Sequence, residues 1–78
     1  QMKVNLDRIT IDDKVCNGKP TIRDTRITVQ SILEYLSAGN EESEILSQFP
    51  TLEAKDIKAC IKFAADLMNR NYSIKTVA

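Results

Sequence analysis

The stretch GKPTIRDTRITVQSILEYLSAG, residues 18–39, changes its period part-way along, and that change sets the fold. Asn17, Gly18, Lys19 and Pro20 form a turn cluster. Beyond it Thr21 to Arg23 and Arg26 to Thr28 read as two very short arms facing each other across Asp24 and Thr25, with Ile22 and Ile27 pointing inward. From there the period becomes 3.6: Val29, Ile32, Leu33 and Leu36 fall at i, i+3, i+4 and i+7. Thr28 is placed to cap this helix of about residues 29–38, and Gly39 to stop it.

Upstream, Ile9, Thr10 and Ile11 alternate before Asp12 and Asp13, as a short edge strand followed by a turn would. Gln1 before Met2 reads as an expression scar. Downstream, Asn40 is placed to cap a short helix whose first turn holds Glu41, Glu42 and Glu44, and whose buried face is Ile45, Leu46 and Phe49. Pro50 ends it, and Thr51 is expected to cap a third helix from about Leu52 to Arg70. Two apolar stripes mark that helix: Ile57, Cys60, Ile61, Ala64 and Met68, with Ala59, Phe63 and Leu67 beside them. Two stripes exceed what one small core requires, so a pair such as Phe63 and Leu67 is a candidate contact with another chain, or else the edge of a wide core face.

The expected fold is therefore mostly α: a short N-terminal β arm (residues 8–27), a three-helix unit (28–71) with helix-turn-helix spacing of the homeodomain-like or winged-helix-like kind, and a flexible tail (72–78). Seventy-eight residues make a single domain. With 42% hydrophobic residues and 28% charged ones the chain should fold, but a domain this small buries only roughly 60% of its unfolded surface. A homodimer or a complex is expected.

Eleven basic residues balance eleven acidic ones, so attraction to nucleic acid must come from a local patch. Lys55, Lys58 and Lys62, at i, i+3 and i+7, line one face of the third helix and suit phosphates, although a solvated face would look the same. Glu53 and Asp56 in the first turn oppose that reading, because carboxylates there repel a DNA backbone. Lys19, Arg23 and Arg26 form a second basic cluster around the β arm's turn, where an Arg26–Asp24 ion pair is the alternative.

Catalysis has little to stand on. Histidine is absent, adjacent carboxylates such as Asp12 and Asp13 do not face each other, and Gly18-Lys19 lacks the rest of a phosphate loop. Cys16 and Cys60, 44 positions apart, match no zinc or redox spacing and read as reduced thiols, with Cys60 a buried small hydrophobe. Only an unforeseen thiol chemistry at Cys16, near Lys14 and Lys19, would make an enzyme. No metal, cofactor or catalytic residue is expected. No apolar run approaches the roughly 18–20 residues of a membrane span and no signal segment opens the chain, so a cytoplasmic location is expected.

The ordered series Gly18, Lys19, Pro20, Arg23, Thr25, Arg26, Gly39, Pro50, Ile57, Ala59 and Ala64 resembles the bacterial domain-of-unknown-function family 433, over residues 8 to about 68. Asp24 stands where that family typically has glycine, which places a left-handed turn residue there; Asp tolerates that region better than most. The resemblance implies a dimeric helix-turn-helix-like protein similar to VapB-type antitoxins, which neutralise a PIN-like ribonuclease toxin encoded beside them and repress their own operon. On that reading Lys55, Lys58, Lys62, Arg23, Arg26 and Lys19 contact operator DNA, and Phe63, Leu67, Tyr72, Ile74 and Val77 contact the toxin. A dimeric protein-protein interaction module without DNA binding is the alternative.

Overall fold

A computed structural model of the chain describes the backbone of residues 3–75 and the side chains of residues 3 and 5–69. Three strands, β1 (Lys3–Leu6), β2 (Ile9–Asp12) and β3 (Thr21–Ile22), form an antiparallel sheet in the order β1-β2-β3. Three helices follow: α1 (Val29–Ser37), α2 (Glu42–Gln48) and α3 (Ala54–Lys75). The fold is thus mixed α/β, with a fuller sheet than the expected arm. Residues 9–11 are not at an edge as the sequence pattern suggests: β2 is the central strand, because Lys3–Leu6 pairs with it through Leu6↔Ile9 and Lys3↔Asp12. The intervening loop is only Asp7 and Arg8, and it turns on Asp7 at φ 55.

The arms on either side of Asp24 and Thr25 face each other as the pattern predicts. Thr21 bridges Thr28, and the Ile22 N–H donates to the Ile27 carbonyl at 2.9 Å. Ile22 is fully buried and Ile27 packs on the core. The left-handed residue of this turn is Arg23, at φ 46, and not Asp24. The family's glycine position is therefore filled here without a positive φ, and the strain sits one residue earlier.

Thr28 caps α1, its Oγ1 accepting from the Ser31 N–H at 3.1 Å. Gly39, at φ 96, closes it in a Schellman motif: the Gly39 N–H donates to the Leu36 carbonyl and the Asn40 N–H to the Tyr35 carbonyl. Asn40 is occupied by that closure, its side-chain amide also donating to Tyr35, so Glu41 caps α2 instead, in a capping box with Glu44. Thr51 does not cap α3; the Glu53 N–H donates to Asp56 Oδ2 at 2.8 Å, the N3 side chain reaching back over the first turn. With neither Gly nor Pro after Pro50, the backbone stays helical to Lys75, past the expected end at Arg70 and through Tyr72 and Ile74 of the expected tail.

Ile9, Ile22, Val29, Ile32, Ile45, Leu52, Ile57 and Cys60 form one core between the sheet and the three helices. Full burial of each such aliphatic contributes roughly 1.5–3 kcal/mol. Tyr35 and Phe49 seal α1 against α2 edge to face, their centroids 5.6 Å apart. The first apolar stripe expected on α3 is divided: Ile57 and Cys60 are buried, but Ile61 and Met68 are 49% and 53% exposed. Ala59 and Phe63 pack on the core in their place, so the helix is turned slightly about its axis from the expected orientation. No described helix is long and apolar enough to cross a membrane.

Candidate functional site: the two faces of the last helix

Asp56 is the only fully buried carboxylate among the described residues. It lies on the core face of α3 beside Ile57 and Cys60, where an unpaired charge would be costly. Two arginines from the turns at one end of the sheet supply the compensation. The short loop after β1 aims Arg8 at α3, and its Nη1 donates to Asp56 Oδ1 at 2.9 Å and to Glu53 Oε1 at 2.8 Å. The left-handed backbone at Arg23 turns that side chain in the same direction. Its Nε and Nη2 donate to Asp56 Oδ1 at 3.0 Å and Oδ2 at 2.7 Å, and Nη2 also donates to the Thr51 carbonyl. The two arginines are tied at the backbone by the Arg23 N–H donating to the Arg8 carbonyl at 2.9 Å.

Burial alone would raise the Asp56 pKa, but hydrogen bonds from Arg23, the Glu53 N–H and Arg8 outweigh it and hold the carboxyl down at about 2. The same bonds to Asp56 raise both guanidinium pKa values. The cluster is a charged rivet that fixes the sheet to the start of α3. It also changes the meaning of Glu53 and Asp56. Sequence alone sets them against nucleic acid as free carboxylates, yet Asp56 is buried and doubly paired, and Glu53 is paired with Arg8.

The row of Lys55, Lys58 and Lys62 is exposed, and with Arg8 it lines one groove between α3 and the β1–β2 loop. Asp7 stands at its edge, and Lys62 pairs with Asp66 at 3.4 Å. Two of the three lysines, Lys55 and Lys58, have no ion-pair partner among the described residues, as phosphate ligands require. The second basic cluster is not brought together in the same way. Arg23 is committed to Asp56, Arg26 is exposed without an ion pair to Asp24, and Lys19 is exposed in the loop before Pro20. Arg26 and Arg23 line a separate hollow with Lys3, Asp12 and Asp24.

On the side of α3 that faces α1, Phe63 and Leu67 line an apolar groove with Val29, Leu33 and Pro20. Phe63 is half-buried and Leu67 is 45% exposed. The side chains of Tyr72 and Ile74, and all of Val77, lie outside the described residues. Both thiols are free. Burial pushes Cys60 up to about 11, and Cys16 Sγ donates to the Arg26 carbonyl at 3.4 Å. No group of three metal-ligating side chains occurs among the described residues.

Sequence reading misses Arg8 and the role of Asp56. The signal is present: Asp56 and Cys60 are four apart on a face that must be buried, and an acid there demands a cation.

The model of the family described as "Protein of unknown function (DUF433)" matches residues 9–64. A solved structure of a DUF433 member protein from Anabaena variabilis is similar at 31% identity and a TM-score of 0.76, over 82% of this chain. The chain spans 63% of the length of that protein. No curated protein matches the chain. The matched span takes in β2, the Arg23 turn, α1, α2 and the Arg23–Asp56 pair, with Arg8 just before it, and on it the chain belongs to the DUF433 family.

Proposed function

We propose that this chain is the antitoxin of a toxin-antitoxin pair. A dimer uses the basic face of α3 on its own operator DNA and the apolar groove on a PIN-like ribonuclease toxin, in the cytoplasm. The supporting observation is that one long helix carries two chemically opposite faces, the Lys55–Lys58–Lys62 row and the groove at Phe63 and Leu67, while the acids at its N-terminus are neutralised internally. The short α2, the Phe49–Thr51 break and the long α3 follow in the order that a helix-turn-helix requires, and the rivet holds the β1–β2 loop beside α3, which supports this reading. Lysines on a helix flank contact phosphates and position the protein. Base reading falls to the exposed residues near the start of α3, and Arg26 and Lys19, which lie away from the lysine row, are left as outlying contacts to the DNA backbone.

Titration of a labelled promoter duplex at rising salt tests the DNA half. Binding that weakens with a log-log slope of about four to five is expected from the two copies of the lysine row in the dimer. Absence of binding at low salt overturns it. In that case the protein-protein interaction module is the better reading, favoured by the zero net charge and by Asp7 and Asp66 beside the lysine row.

A further inference from the structure

β1 ends the sheet, and its outer side meets no strand among the described residues. The two-residue loop closes on Leu6 and Ile9, which makes them a hydrogen-bonded pair. Bonded and non-bonded pairs alternate along an antiparallel ladder, so the next bonded pair is Val4 with Ile11. The N–H and C=O groups of Lys3 and Asn5 therefore face outward. Neither backbone bonds to a loop or helix among the described residues. Such a row of free donors and acceptors is a template for another strand.

We propose that β1 of a second copy occupies this edge, antiparallel, with the two-fold axis between the two Asn5 residues. In that register Asn5 exchanges both backbone hydrogen bonds with the partner's Asn5, and the two three-stranded sheets become one of six strands. Leu6, 43% exposed, stands opposite the partner's Val4. Lys3 comes level with the partner's β1–β2 turn, within reach of its Asp7 beyond the end of the ladder, and the symmetry makes that approach twice. Lys3 and Asp7 are both exposed, and neither has an ion-pair partner within 4.0 Å among the described residues.

Parity and charge select this arrangement over its neighbours. Only odd-numbered residues of β1 turn their backbone groups outward, so the bonded partners across the seam must be odd as well. Moving the axis to Lys3 sets lysine against lysine, and moving it to Val4 takes Lys3 away from the partner's Asp7. A parallel pair places Lys3 beside Lys3 and Asp7 beside Asp7, where like charges repel. The chosen register also neutralises Asp7, the acid at the edge of the lysine row on α3. β1 precedes the residues that the family model matches, so the seam is a property of this chain and not of the matched span. The inference rests on the dimeric reading above and gives it an interface.

Sedimentation equilibrium of the whole chain over a range of concentrations, without nucleic acid or toxin, tests it. The unaltered protein is expected to be a dimer. Asn5→Pro removes the N–H at the centre of the seam while the β1–β2 bonds of Val4 and Leu6 stay, and should give a monomer with an unchanged circular dichroism spectrum. Lys3→Glu, at an exposed side chain, should weaken the dimer about tenfold. Asn5→Cys in a Cys16→Ser background should cross-link to itself on mild oxidation, since the two Cα atoms of a bonded pair stand roughly 5.5 Å apart. A protein monomeric at every concentration overturns both this interface and the dimeric reading. A dimer that Lys3→Glu does not weaken, or in which Asn5→Cys does not cross-link, overturns the interface alone.

Discussion

At the scale of single residues, Asp56 decides how the sheet meets the last helix. Its carboxylate bonds two guanidinium groups and a backbone N–H. Asp56→Ala leaves Arg23 without a carboxylate partner, Arg8 with Glu53 alone, and α3 without its cap. Because Arg8 and Arg23 keep 27% and 37% of their side-chain exposure, the expected loss is about 2–4 kcal/mol, below that of a fully buried pair. Urea unfolding measures it. The acid limb gives a second reading. The folded pKa lies below the usual carboxylate value, so the contribution is complete above about pH 4 and is lost as pH falls through about 2. Asp56→Asn should therefore flatten the decline in stability between pH 4 and 2; an undiminished acid limb would place the titrating group elsewhere. Asp24 carries the opposite expectation. Because the positive φ belongs to Arg23, restoring the family's glycine with Asp24→Gly relieves no strain and should cost about 0.5 kcal/mol through chain entropy. A stabilised Asp24→Gly protein would contradict this. The turn is legible in GKPTIRDTR, but which of its residues takes the left-handed conformation is not, because that depends on a partner 33 positions away.

At the scale of elements, α1 and its caps are readable almost to the residue, since Thr28 and Gly39 act within one turn of themselves. β1 is not. Four residues before a tight two-residue loop carry too little alternation to separate a strand from a ragged terminus, and their pairing gives β2 its central place. The stripes of α3 are visible in the sequence but only partly assignable, because periodicity gives the angle of a residue about the axis and not which arc the rest of the chain covers. Lys55→Ala and Lys58→Ala, each removing two contacts from the dimer, are each expected to lower the salt slope of DNA binding by about two and to weaken binding alike on all sequences, as phosphate ligands do. An unchanged slope for either would remove it from the interface. Leu67→Asp alters an exposed residue of the apolar groove and should weaken toxin capture about tenfold or more while the fold is kept. Deletion of residues 72–78 tests the remaining toxin contacts, Tyr72, Ile74 and Val77, and intact capture after it would remove them.

At the scale of the molecule, a neutral chain with a small core separates its surface into chemically distinct regions on one helix. Net charge and composition carry no trace of this, because eleven cations and eleven anions cancel in a sum whatever their placement. Folding buries or pairs the anions at the start of α3 and leaves Lys55 and Lys58 open beside the β1–β2 loop. It also leaves Leu67 and Met68 uncovered beyond the core. The most direct test is to co-express the chain with the product of the adjacent gene, isolate what binds it, and titrate that complex against its own promoter fragment. A stable complex that shifts the fragment, and loses the shift when Lys55 and Lys58 are replaced, is the predicted result. A folded chain that holds neither the neighbouring protein nor the fragment would contradict the antitoxin reading in both its halves.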